Sequence, residues 1–418
     1  MSIKLPYGSR YISLPSGLEV DEEVVINPRY LPRIGNLEDV LKESLENPIG
    51  SESLSDIIRK GNKVAILFDD ITRPGPKREV GKFLLEYLLN HGVKESNITI
   101  IFATGLHRKH TRDEWKCMLG EDIVNRFRII DHDADREHRY FGETSRGTPV
   151  EIDEIVANAD ITIGVSYLAI HDFAGYTGGA KIILPGVASR RAVQTNHILS
   201  LDKRSRPGVA DGNPTREDME EAAKLFGYDF SINIPLNYKK EPTGIFAGDF
   251  IKAHREGIKQ VDFMYKVGIG KKVDVIIASP GGFPYDINLY QASRVLVHCD
   301  DIIAEGGTLV LVGEFREGIG DRDTEAMLRN YQNADEAIEV LRRDYTIGKW
   351  VGWKFLRAVE KYDFIIVSDT TFEKGLFERV KIKVLRSIDE ALKLIHEKHG
   401  KSFDYLVIPY GCMTLPTS

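Results

Sequence analysis

Cysteine is scarce. The three in 418 residues, Cys117, Cys299 and Cys412, are odd in number and far apart, and no CxxC pair is present, which excludes a disulfide framework and a cysteine-based zinc or iron–sulfur site. No uninterrupted apolar run approaches the ~20 residues a bilayer-crossing helix needs. The stretch Met1 to Arg10 has no apolar signal core. These lacks give the expectation of a cytoplasmic protein with no membrane partner. A basic excess is also missing: the formal net charge is −7, which speaks against a general nucleic-acid surface. A few local cations still suffice for an anionic substrate. No GxGxxG follows any strand-like run, so an NAD-dependent dehydrogenase is disfavoured. A Walker A comparison at Lys181 fails, because Ala180 and Ile182 stand where that motif needs Gly and Ser/Thr.

What is there reads as an enzyme-sized α/β chain. Short β-branched runs recur at Val64–Phe68, Ile98–Ala103, Ile161–Val165, Val273–Ala278, Thr308–Val312, Phe364–Val367 and Tyr405–Ile408. Such runs are the mark of strands buried on both faces of a parallel sheet. Amphipathic helical patterns lie between them, at Glu79–Leu89 and Ser387–Ile395 for example. The expected fold is therefore two α/β domains with largely parallel sheets. A change of unit near Phe263–Lys272 divides them into an N-terminal cofactor-binding domain, residues 1–265, and a C-terminal Rossmann-like domain, residues 266–418.

Ligands of open α/β sheets bind beyond the carboxyl ends of the strands, and the segments after these strands are polar, basic or glycine-rich. Asp69-Asp70-Ile71-Thr72-Arg73-Pro74 follows the first, Thr104-Gly105-Leu106-His107-Arg108 the second, and the third leads to His171. The densest stretch runs from His171 to Gly186. Its glycines, Gly175, Gly178 and Gly179, permit close backbone approach to a bound group, and Lys181 adds a cation or a nucleophile. A tight turn before a helix is the plain alternative. His107, His171 and His197 each sit in or near such a segment and are suited to proton transfer or metal binding. Asp131-His132-Asp133-Ala134-Asp135 resembles the start of a calcium loop but lacks the Gly and Glu it requires, so a solvated loop is expected there. Gln291 and Arg294, three apart after Tyr290, share a helix face where a guanidinium can clamp a carboxylate.

Taken together, Asp69–Pro74, Ala103–Arg108, His171–Gly186, His197, Gly212-Asn213-Pro214 and Gly281–Arg294 resemble the nickel-pincer-nucleotide-dependent lactate racemase family in order and approximate spacing. The resemblance implies two α/β domains with the active site in the cleft between them. It implies a pyridinium mononucleotide with two thio-acid arms that grip nickel. On this likeness Lys181 bonds covalently to one arm, His197 completes the nickel coordination, and Asp70, Ile71, Thr72 and Arg73 line the nucleotide. His107 and His171 are then the catalytic histidines, and Arg73, Tyr290, Gln291 and Arg294 contact the substrate, a small 2-hydroxy acid inverted at C2 by reversible hydride transfer through a 2-keto acid. Separate biosynthetic enzymes are implied as partners that load the cofactor. One departure stands out: the family's Tyr-Gln-x-x-Lys stretch ends here in Arg294, which opens the choice to a larger hydroxy acid, a dicarboxylate such as malate, or a sugar acid. Trp350 and Trp353 are candidates for a substrate-shielding tryptophan, with core packing as the alternative. Two other readings compete: a zinc hydrolase using His107, His171 and His197, and a non-catalytic nucleotide-binding protein.

Overall fold

The computed structural model describes residues 3–15 and 24–418. Its residues group into two compact units, Tyr30–Met264, and Tyr265–Ser418 together with the described residues up to Arg29.

The first unit is built on a six-stranded sheet: β1 (Val64–Asp69), β2 (Ile98–Ala103), β3 (Arg128–Asp131), β4 (Ile161–Leu168), β5 (Phe230–Pro235) and β6 (Phe246–Gly248). The spatial order is β6-β5-β4-β1-β2-β3. All neighbours are parallel except β5 and β6. Val64 to Phe68 are buried without exception, as expected of a strand covered by helices on both faces. Helix α1 (Lys77–Asn90) buries Val80, Leu84, Leu85 and Leu88 at three- and four-residue spacing. Helix α2 (Arg190–His197) starts where the Ser189 hydroxyl accepts from the Ala192 amide. Helix α3 (Pro214–Phe226) starts on Asn213 with Pro at its first position and ends on Gly227 in the left-handed region. Helix α4 (Lys252–Tyr265) follows the edge strand.

The second unit carries a five-stranded, wholly parallel sheet: β7 (Val273–Ala278), β8 (Ile303–Val312), β9 (Asp363–Val367), β10 (Ile382–Leu385) and β11 (Tyr405–Ile408), in spatial order β10-β9-β8-β7-β11. The fold is thus α/β with largely parallel sheets. Strands β3, β5, β6 and β10 were not expected from the sequence. β5 (FSINIP) alternates buried polar with buried apolar residues and so hides its hydrophobic run.

The expected first domain, residues 1–265, needs a correction at its start. Strands Lys4–Tyr7 and Arg10–Ser13 belong to the second unit, because Leu5, Tyr7 and Leu14 are buried in one core with Val275, Ile277, Val310 and Val407. Residues 1–2 and 16–23 of that expected domain lie outside the described residues. No helix among the described residues is long and apolar enough to cross a membrane.

In each sheet the chain works outward from one strand, then returns to that strand's other side. The reversal falls between β1 and β4 in the first sheet and between β7 and β11 in the second. Loops diverge at such a switch point and leave a crevice at the strands' carboxyl ends.

Candidate active site

The loop after β1 is a tight turn closed on Asp70. This carboxylate is buried, and its Oδ1 accepts from the Thr72 amide at 2.9 Å and the Thr72 hydroxyl at 2.5 Å. Its Oδ2 meets His107 Nδ1 from the loop after β2. Burial pushes the Asp70 carboxyl up, but the His107 contact, Thr72 and the nearby Arg73 charge outweigh it, and the group is held below the usual carboxylate range. Ile71 is 40% exposed, and its amide donates to His110 Nε2 at 3.1 Å. The other nitrogen of His110 lies 2.7 Å from Asp131 Oδ1. His110 is therefore a prop under this loop, a role the sequence did not show. The solvated loop expected at Asp131–Asp135 is corrected in part. Asp131 and His132 are buried, and His132 bridges Asp153 and the Ala188 carbonyl. Asp133 and Asp135 pair at the surface with Lys109 and Arg190.

Arg73 stands next on this loop, half-buried, and its guanidinium has no hydrogen bond or ion pair among the described residues. Lys77, at the start of α1, is buried and donates to the Arg73 carbonyl. The sequence reading passed over Lys77, because it sits in an ordinary amphipathic pattern. Burial lowers its pKa against the pull of Asp69 and Asp70.

After β4 the chain turns through a hairpin of two two-residue strands that pairs His171 with Gly175 and Ile170 with Tyr176. His171 Nδ1 faces the amides of Phe173 and Ala174 at 3.5 and 3.3 Å. Its ring meets Phe173 edge-on at 4.7 Å, and Phe173 also meets His197 at 5.1 Å. Phe173, unmarked in the sequence, thus connects the two histidines. The glycines do not act as expected. A Cβ on Gly175 would lie 1.8 Å from the Val209 carbonyl oxygen, and one on Gly179 2.8 Å from that of Phe250. Their close approaches are to the chain itself, so these glycines shape the loop. Arg216, fully buried on α3, donates to the carbonyls of Ala174, Tyr176 and Gly178 and fixes the loop from beneath.

Lys181 lies on the short turn Gly179–Ile182. Its side chain is half-buried, and its ammonium has no hydrogen bond or ion pair among the described residues. Burial first, then the charges of Arg73 and Arg216, push it down to about 7 against the opposing pull of Asp69 and Asp70. His197 ends α2, buried. Burial, then the Lys181 and His107 charges, push it down to about 3, while a hydrogen bond to the backbone of Val193 opposes them. A neutral ring that donates one N–H to a carbonyl keeps a lone pair on its other nitrogen, which is the state a metal needs. Lys181, His197, His107 and Arg73 therefore sense one another electrostatically, and Phe173 brings His171 into the same group.

Tyr290, Gln291 and Arg294 lie in the second unit after β7. One shared helix face was expected, and the segment is two short helices, Leu289–Ala292 and Arg294–Cys299, joined by Ser293, whose backbone stays in the right-handed helical region. Asn288 caps the first through the Gln291 amide at 2.9 Å. The Gly411 and Cys412 amides, after β11, donate to the Ser279 and Pro280 carbonyls after β7, so this segment stands at its own sheet's switch point. Trp350 and Trp353 are buried on the helix Ile347–Lys361, with Lys354 over the Trp350 ring at 4.1 Å.

Residues 7–208 match the lactate racemase N-terminal domain and residues 269–415 the lactate racemase C-terminal domain. The chain belongs to the lactate racemase family. It is 31% identical to the lactate racemase of Lactiplantibacillus plantarum and 29% identical to that of Thermoanaerobacterium thermosaccharolyticum, in each case over 98% of both chains. The lactate racemase apoprotein structure from the latter organism superposes with a TM-score of 0.88 at 28% identity, over the whole of both chains. A Thermotoga maritima protein, 18% identical with a TM-score of 0.68 over 93% of this chain, shares the fold.

The family implies a cofactor, and the donor set fits one that brings most of its own ligands. Among the described residues no group of three or more His, Cys, Asp or Glu side chains is gathered to hold a metal. That leaves the three-histidine zinc reading without a ligand set. A single buried, neutral imidazole within electrostatic reach of a half-buried amine lowered to about 7 is a donor set that such a cofactor could use.

Proposed function

We propose that this chain is an isomerase, a 2-hydroxyacid racemase or epimerase that inverts C2 of a small lactate-like acid, with a nickel-pincer nucleotide bonded to Lys181. The observation that carries the reading is a Lys181 amine lowered to about 7 within electrostatic reach of a neutral, buried His197 imidazole. When bound, the cofactor supplies an electron-poor centre that takes hydride from C2 and returns it, which avoids a carbanion.

The chain's own residues do the rest. Lys181 offers its Nζ for the covalent bond, His197 one nitrogen to nickel, and Asp70, Ile71, Thr72 and Arg73 border the nucleotide. His107 takes the hydroxyl proton from one enantiomer and His171 from the other as the 2-keto acid forms and is reduced on its opposite face. Arg73, Tyr290, Gln291 and Arg294 bind the substrate, the two guanidiniums holding its carboxylate. Arg294 presents a planar fork where a lysine would present a point charge. A panel of chiral 2-hydroxy acids that runs from lactate through malate to sugar acids is the way to read the preference it sets. Separate enzymes make and load the cofactor.

The test is intact-mass spectrometry with metal analysis on protein produced together with pincer-cofactor biosynthesis enzymes. A mass excess of roughly a few hundred daltons on the Lys181 peptide, the size of a mononucleotide cofactor, with nickel near one per chain, supports the reading. An unmodified Lys181 without nickel, where a known family member is loaded, overturns it.

A further inference from the structure

The Asp70 carboxylate is tied into the protein. Both oxygens are committed inside the protein: Oδ1 to the amide and hydroxyl of Thr72, Oδ2 to His107 Nδ1. Its side chain is 5% exposed, while that of His107 is 53% exposed, so the buried edge of the imidazole faces the carboxylate and the rest of the ring faces outward. A carboxylate accepts only, so Nδ1 must be the donor. The neutral ring then carries its lone pair on Nε2.

We propose that Asp70 is the positioning residue of His107: it fixes the tautomer that presents Nε2 as proton acceptor and stabilises the imidazolium formed when that proton arrives. This deepens the racemase reading and rests on it, since His107 is the base there. In the step concerned, the substrate O–H breaks, its proton moves to Nε2, and Nδ1–H stays on the ring facing Asp70. His110 and Asp131 brace the same loop from its other side, which holds the carboxylate in place. The other charged or titratable groups around His107 are Arg73 and Arg108, which act on Asp70, and His197 on α2. Asp70 alone among them is an anion in contact with the ring.

Nitrogen-resolved NMR of the histidine rings in the full chain reads the tautomer directly and needs no cofactor, with His107→Asn identifying the signal. The expected result is Nδ1–H with an unprotonated Nε2 in the native chain, lost or mixed in Asp70→Asn. In the loaded enzyme Asp70→Asn should lower kcat by roughly 10²–10⁴-fold, as expected when a ring loses the carboxylate that sets its tautomer, with KM little changed. The acidic limb of the rate profile should move to lower pH, because the imidazolium has lost its counter-ion. Asp70→Glu, which keeps the charge, should recover part of the rate. An Nε2–H tautomer in the native chain overturns the proposal even if Asp70→Asn does not fold. So does an unchanged tautomer and pH profile in a folded Asp70→Asn. Full activity of His107→Asn would instead overturn the role given to His107 in the racemase reading, while the tautomer measurement still judges the Asp70 pair.

Discussion

A lysine without a counter-ion is a different reagent from one on the surface. At about 7, the Lys181 amine is neutral in roughly half of the molecules at neutral pH, whereas an amine near 10.5 is neutral in about one in a few thousand. Competitive labelling with a small acylating reagent should give a Lys181 peptide whose reactivity rises to half its plateau near pH 7, with the other lysines rising above pH 9 or so. A Lys181 profile indistinguishable from the rest would contradict the electrostatics described. The shift also enters stability. Between about 7 and 10.5 the unfolded chain holds a proton at Lys181 that the folded chain has released, so folding gains from rising pH across that window. Lys181→Met should flatten that slope in urea titrations at a series of pH values. Asp70 has the opposite sign. Its carboxyl is lowered in the fold, so its contribution is complete above the unfolded value of 3.8 and fades as pH falls below it. Native chain and Asp70→Asn should therefore differ in stability at neutral pH and converge in strong acid.

The loop that carries His171 is held by one side chain from another element. Arg216 donates to three carbonyls of Ala174–Gly178 from a fully buried position, and burial draws it down to about 10 without neutralising it near pH 7. Replacing it with Met keeps much of the volume and leaves those carbonyls unmet, at a cost of about 3–5 kcal/mol. Hydrogen exchange should speed up first at residues 170–183; uniform loss of protection across the first unit would show that Arg216 holds the whole core. This keystone also marks how far the sequence could be read. Strands such as Val64–Asp69 and Ile98–Ala103 were legible because unbroken β-branched runs have one common use, burial between helices. The loops after them were legible because chemistry collects where strands end. What was hidden depends on partners far away in the chain: Asp70 with His107, His110 with Asp131, Phe173 between two histidines, and Arg216 under a loop some forty residues earlier. Short-range spacing carries no trace of these. The same holds for the start of the chain, whose first two strands pair with each other and pack into a core whose other residues come more than two hundred and fifty positions later.

At the scale of the molecule, the two units divide the proposed work. Every residue proposed to hold the cofactor, from Asp70 to His197, and both histidines proposed to be catalytic lie within Tyr30–Met264. That stretch also encloses a hydrophobic core of its own, from Leu37 on the helix Leu37–Glu46 through Ile66, Leu84 and Ile100 to Ile232 and Ala247. Tyr290, Gln291 and Arg294 belong to the other unit. Residues 30–264 produced alone should therefore fold, because a unit with its own hydrophobic core can fold by itself. Produced together with the loading enzymes, the fragment should acquire the cofactor mass on Lys181. It should not racemise the acids that the full chain does, because one of the two guanidiniums proposed to hold the carboxylate is missing. A folded, loaded but inactive fragment would place cofactor capture in the first unit and substrate binding in both. If the fragment instead turned over 2-hydroxy acids at the rate of the full chain, Arg294 would lose its proposed role, and Arg73 would have to serve as the whole carboxylate clamp.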